Sequence, residues 1–244
     1  MIADGTLKFT CPLEFNDPFD SMPAYDPNSI KNVTKLRPDL IRKAGKNLGL
    51  SPAKRIQKNW WFQKNVEAGI NSGDYAKAII GGLGIFCVSR TPCNPLMWAH
   101  YADSHKGFTV ELRIAMDAPG THIQTILPCP VEYTKTRPII NWAHSVERDL
   151  EKYFFTKSED WSYEQEERTI TPGAGIYAYS RAHFLCSVIA GARISEPDYE
   201  TLKAVVGKAS RELGKEVPLH KAQLAQHSYR VFIPGLQNPD FAHE

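Results

Sequence analysis

Residues 161–168, Trp-Ser-Tyr-Glu-Gln-Glu-Glu-Arg, crowd three carboxylates and a guanidinium into eight positions. In an extended strand alternate side chains share a face, so Glu164, Glu166 and Arg168 are expected to point one way and Tyr163, Gln165 and Glu167 the other. Two carboxylates roughly 7 Å apart beside a guanidinium can hold a polar ligand and shift each other's pKa. The plainer alternative is a charged edge strand that discourages aggregation.

A second concentration lies at residues 94–107, Asn-Pro-Leu-Met-Trp-Ala-His-Tyr-Ala-Asp-Ser-His-Lys-Gly. In a short helix from Leu96, His100 and Asp103 share one face, and Trp98, Tyr101 and His105 another. Imidazole works as acid, base, ligand or donor near neutral pH. His100 and Tyr101 are therefore candidate catalytic groups, with His105 and Lys106 as candidate binding groups. The alternative is that Trp98 and Tyr101 are core and the histidines satisfy backbone. A third segment, residues 15–20, sets two phenyl rings around an Asn-Asp-Pro turn. Asn16, Asp17 and Phe19 could wall a pocket with a polar floor, or the rings could simply pin a rigid turn.

Such groups need a scaffold, and periodicity supplies one. Strands are expected at residues 7–11, 84–89, 108–114, 131–134, 166–171, 184–190 and 229–233. Helices are expected from Ser51-Pro52, where Ser suits the N-cap and Pro the first turn, then from Pro95 to Tyr101, over 139–155, and after Ser195. No repeat, low-complexity tract or linker divides the chain. The expected fold is α+β, one domain over residues 1–244, with mostly antiparallel sheets and packed helices.

Hydrophobic residues make up 42% of the 244 and charged residues 23%, ordinary globular usage that sets disorder aside. The five cysteines are scattered without a C-x-x-C pair, which disfavours a zinc ribbon or thioredoxin-type site and suits reduced thiols. The N-terminus shows no secretory pattern, and the most apolar window, residues 78–89, is too short to span a bilayer. A cytoplasmic protein with no membrane partner is expected. Charge is uneven: within 31–64 ten Lys or Arg stand against Asp39 alone, a net +9, while 144–167 carries a net −5. The basic segment, with Trp60 and Trp61 inside it, could grip phosphates and stack bases. The simpler expectation is a solvated helical face whose aromatics dock on the core.

The wording and order of residues 7–20, 96–107 and 161–168 resemble the bacterial family called domain of unknown function 2971. The motif order of that family is in turn similar to the ADP-ribosyltransferase superfamily. There an early strand clamps the nicotinamide dinucleotide, a middle strand carries Ser or Tyr, and a late strand carries the catalytic Glu, often as Glu-x-Glu. The resemblance implies a split sheet, NAD as substrate, Ser89 or Tyr101 in the middle role and Glu164-Gln165-Glu166 as the late pair. Arg168 and Asn16, Asp17 and Phe19 would then help bind a nucleotide-like molecule. It also implies toxin or phage-defence settings, with a nucleic-acid or protein target met through residues 31–64. Family members carry an aromatic, basic strand ahead of the block that here starts at Leu7; the clamp strand is therefore expected upstream of Met1 or missing. Two other classes stay open. One is a metal-dependent hydrolase or nuclease drawing on Asp17, His100, His105, Glu164 and Glu166; the other is a non-catalytic nucleotide- or partner-binding module.

Overall fold

The computed structural model describes residues 1–113, 127–142 and 152–236. The fold is α+β, and among the described residues five of the eight strand pairings are antiparallel, so the sheets are mostly antiparallel as expected. The sheets are small, two or three strands each. An isolated bridge between Thr10 and Ile85 ties strand Thr6–Phe9 to strand Leu83–Ser89.

The sequence Leu-Cys-Ser-Val-Ile-Ala at Leu185–Ala190 is apolar almost throughout, the pattern of a strand covered on both faces. Val188 faces a cluster with Leu7, Phe9, Phe184, Leu202 and Val206, whereas its neighbour Ile189 joins Trp98, Val231 and Ile233. The first face is closed by helix Glu196–Leu213, which buries Leu202, Val206 and Ala209 along one stripe. Its ends are locally encoded. Ser195 Oγ accepts from the Asp198 amide, Pro197 and two acids occupy the first turn, and Gly214 leaves in the left-handed region. On the second face sits helix Pro95–Tyr101, whose one buried residue is Trp98.

Strand Glu166–Pro172 pairs antiparallel with Leu83–Ser89, placing Ser89 opposite Glu166, and on its other edge with Cys129–Pro130. Strand Thr156–Ser158 runs parallel to Glu132–Thr134, with Lys157 opposite Tyr133. These pairings set the frame of the candidate site.

Several expectations need correction. The predicted helix at 139–155 begins as strand Ile139–Ile140, paired with Ala24–Tyr25; residues 143–151 lie outside the described residues, and 152–154 are helical. Ile114, the expected end of one strand, also lies outside them; the strand observed is Phe108–Leu112. The helix predicted from Ser51 is two helices, Pro52–Gln57 and Asn59–Asn71, divided at Lys58. Nor do the two indoles dock on the core: Trp60 is 71% exposed and Trp61 42%, and the residue that turns inward is Phe62. Charge blocks tell which segment is solvated, not which of three consecutive aromatics faces in. All five cysteines are free thiols, and among the described residues no helix is long and apolar enough to cross a membrane.

Candidate active site

Helix Pro95–Tyr101 starts where Asn94 Oδ1 accepts from the amides of Leu96 and Met97, with Pro95 preset for the first turn. Trp98 anchors it, its indole N–H donating to Pro92 O at 2.6 Å. Past Ala102 three successive residues, Asp103, Ser104 and His105, take positive φ of 45°, 54° and 70°. That strained turn is held by the chain just past strand Leu185–Ala190: Gly191 N donates to Gly107 O and Arg193 N to His105 O. Gly191 must be glycine, since a Cβ there would lie 2.1 Å from His105 O.

The acidic segment is not the regular strand its alternation suggests. Glu159–Glu164 is a 3-10 helix, Gln165 is left-handed at φ 46°, and the strand begins only at Glu166. Glu166 and Arg168 do share a strand face, but Glu164 reaches them from the turn before it. A lysine brings the carboxylates together. Lys157 Nζ donates to Glu164 Oε2 and, at 3.0 Å, to Glu166 Oε2. Arg168 donates through Nε and Nη2 to Glu166 at 2.7 and 2.9 Å, and through Nη1 and Nη2 to Asp20 at 2.8 and 2.6 Å. The Phe154 carbonyl accepts from it too, and the Phe15 ring lies 5.7 Å from its guanidinium. Arg168, Lys157, Asp20, Glu164 and Glu166 are all buried, Arg168 completely.

The turn at residues 15–20 explains how Asp20 arrives. Asn16 Oδ1 accepts from Asp17 N, Asp17 Oδ1 from Phe19 N, and Asp17 O from Asp20 N, which folds the chain back toward Arg168.

Two hydrogen bonds join the two segments that the sequence singled out, and a third comes from Ser89 at the end of strand Leu83–Ser89. Tyr101 donates its phenol to Glu164 Oε1 at 2.7 Å, Asn94 Nδ2 donates to Tyr163 O, and Ser89 Oγ donates to Glu164 O. Tyr101 is half-exposed, so the buried acid network reaches solvent through its ring. Asn16 lies beside the same phenol. A shallow cavity of about 100 Å³ adjoins it, lined by Ser89, Thr91, Met97, Trp98, Tyr101 and Phe108 among others.

Three carboxylates face two cations here, leaving one negative charge in surplus, and the two glutamates divide unequally. Burial pushes both carboxyls up. For Glu166 the hydrogen bonds and charge of Arg168, with the charge of Lys157, outweigh burial and hold it at about 2. For Glu164 burial outweighs the hydrogen bonds from Lys157 and Tyr101, and its pKa is raised. Of the two glutamates, Glu164 is thus the one that takes up a proton first as pH falls. The Tyr101 phenol is raised by burial and by its bond to Glu164, so it stays a donor.

Of the residues the sequence proposed, Glu164, Glu166, Arg168, Tyr101, Ser89 and Asn16 come together. His100 is exposed beside Tyr101 and Tyr163, with ring centroids 6.3 and 6.5 Å away. His105 lies beyond the end of the helix, not on the Trp98–Tyr101 face; its Nδ1 is buried without a hydrogen-bond partner among the described residues, and burial, then Arg193, lowers its pKa. Lys106 is exposed. Asp17 is used by its own turn, and Phe19 is 62% exposed under Arg137. Sequence reasoning missed Lys157, isolated in a three-residue strand, and passed over Asp20 in favour of its neighbours.

No curated protein and no solved structure matches the chain. Residues 97–169, which carry Tyr101, Lys157, Glu164, Glu166 and Arg168, match the model of the family described as Protein of unknown function (DUF2971).

Proposed function

We propose that the protein is an ADP-ribosyltransferase-like enzyme that consumes NAD, with Glu164 as its central catalytic group. One observation carries the reading: a carboxyl of raised proton affinity, fixed from behind by Lys157, bonded to a half-exposed tyrosine at the rim of a cavity. Breaking the nicotinamide–ribose bond sends the electron pair out with nicotinamide and leaves positive charge on the ribose. A fixed carboxylate beside it stabilises that charge. Water or an acceptor on a protein or nucleic acid then adds to the ribose and gives up a proton. In this reading Tyr101 contacts the substrate, with Ser89, Asn16 and His100 beside it and His105 and Lys106 further along the same segment. Glu166, Arg168 and Asp20 act as positioning residues through Lys157 and Glu164. The cavity is below the roughly 300–1,000 Å³ of whole-ligand pockets, so it suits one ring of the dinucleotide with the rest across the surface.

The test is release of labelled nicotinamide by purified protein, with and without lysate as acceptor. Release that falls at least a hundredfold in Glu164→Gln supports the reading; release absent from the wild type, or unchanged in Glu164→Gln, overturns it.

A second reading has its own observation. Glu164 is only 2% exposed and already bonded to Lys157 and Tyr101, an arrangement suited to a non-catalytic nucleotide-binding module. It predicts heat of binding with NAD or ADP-ribose and no nicotinamide release. The metal-dependent hydrolase finds less support. Lys157 and Arg168 occupy the carboxylate oxygens, and among the described residues no three His, Cys, Asp or Glu gather as a metal site.

A further inference from the structure

The basic segment forms a run of helices, Pro27–Lys31, Val33–Leu36, Pro38–Asn47, Pro52–Gln57 and Asn59–Asn71. Its apolar contacts are met by a few inward residues, Val33 and Phe62 foremost. The cations point outward. Lys35, Arg42, Lys43, Lys46, Lys54 and Lys58 are exposed, and among the described residues no carboxylate forms a salt bridge with any of them. The acids nearby are committed elsewhere: Asp39 to Arg37 and Glu67 to Lys64. Two indoles are exposed on the same run of helices, Trp60 at 71% and Trp61 at 42%. Lys58 Nζ lies 5.5 Å from the Trp61 ring, and the Phe62 ring meets Trp61 edge-on at 5.1 Å, which steadies one of the two.

We infer that this face binds single-stranded nucleic acid, with the lysines and Arg42 tracking phosphates and Trp60 and Trp61 stacking on bases. Unpaired cations release counterions on meeting a polyanion, and an exposed indole accepts any base on its face. An anionic membrane would also attract Lys and Trp, but insertion needs an apolar stripe at helical spacing. Within helix Asn59–Asn71 the residues three, four and seven positions after Trp60 are Gln63, Lys64 and Glu67, and those after Trp61 are Lys64, Asn65 and Ala68; the exposed Ile56 belongs to the preceding helix. The indoles therefore do not continue into an apolar stripe along their own helix, which favours stacking platforms over a membrane-inserting face. The face is built from other helices than the Glu164 site, and its binding stands or falls independently of what that site does.

The experiment is fluorescence anisotropy of the full chain with labelled 20-nucleotide DNA and RNA, a 20-base-pair duplex, and vesicles of phosphatidylserine and phosphatidylcholine. Single strands are expected to bind more tightly than duplex. About six phosphate contacts would give a log K against log salt slope of roughly −4. Trp60→Ala and Trp61→Ala should each weaken binding about tenfold with the slope unchanged. A Lys43→Gln/Lys46→Gln/Lys54→Gln variant should flatten the slope by about 2. Circular dichroism and urea unfolding check that these exposed variants stay folded, and Glu164→Gln should bind like the wild type. The comparison of DNA with RNA identifies the preferred strand. Vesicle binding without oligonucleotide binding, no binding at low salt, or affinity indifferent to both indoles would overturn the assignment.

Discussion

Replacing Arg168 with methionine tests the buried network at its most connected point. Methionine fills much of the same space with flexible apolar atoms, so the lost interactions dominate over a cavity. Arg168 is wholly buried and makes four hydrogen bonds to the carboxylates of Asp20 and Glu166. Removing one partner of a buried ion pair costs roughly 3–5 kcal/mol, because the other charge is left uncompensated. The depression of Glu166 from its ordinary 4.5 to about 2 points to the same scale, roughly 3 kcal/mol at neutral pH. In the variant Lys157 is the one cation left for three carboxylates: it lies 3.4 Å from Asp20 and already serves Glu164 and Glu166. Two surplus charges can then be relieved only by protonation, so the deficit should shrink as pH falls from 7 toward 4. Urea unfolding followed by tryptophan fluorescence at both pH values measures this. A deficit under about 1 kcal/mol at pH 7, or one that grows on acidification, would refute the reasoning.

Other consequences are equally concrete. Glu166 has a folded pKa below its unfolded value, so its contribution to stability is present above about pH 4.5 and is lost as pH falls toward 2; Glu166→Gln should therefore show a shallower loss of urea stability than the wild type across that window. Glu164 runs the other way: its raised pKa disfavours the ionised form in the fold, so Glu164→Gln should hold or gain stability at pH 7, and a loss there would count against the assignment. Gly191→Ala must push the residue 103–107 turn away from a Cβ otherwise 2.1 Å from His105 O, at a cost of roughly 1–3 kcal/mol. Hydrogen exchange should show the amides of Gly191 and Arg193 losing protection in that variant, and unchanged protection would contradict the contact.

Much of the scaffold was legible because its signals are local. Asn94-Pro95 and Ser195-Glu196-Pro197 carry their own cap and first turn, so both helix starts follow from neighbouring residues. The strand at Leu185–Ala190 is written in an apolar run that only Ser187 interrupts. What escaped depends on contacts distant in sequence or on conformations without a residue signature. Glutamine carries no mark for the left-handed geometry at Gln165, so the alternation placed Glu164 on a strand that starts two residues later. Lys157 reads as one more charged residue until a parallel pairing with Glu132–Thr134 sets it between two glutamates. Asp20 ends a turn whose direction is decided by where Arg168 lies, nearly 150 positions away. The sequence singled out the two segments that hydrogen-bond to each other, and not Lys157, which ties Glu164 to Glu166.

The unequal division of Glu164 and Glu166 is the central claim, and carboxyl titration measures it most directly. Side-chain ¹³C resonances of labelled glutamate, assigned with Glu164→Gln and Glu166→Gln, report each group by itself. The structure predicts Glu166 still ionised well below pH 4 and Glu164 taking up its proton above the usual 4.5. Both groups titrating together near 4.5 would contradict it.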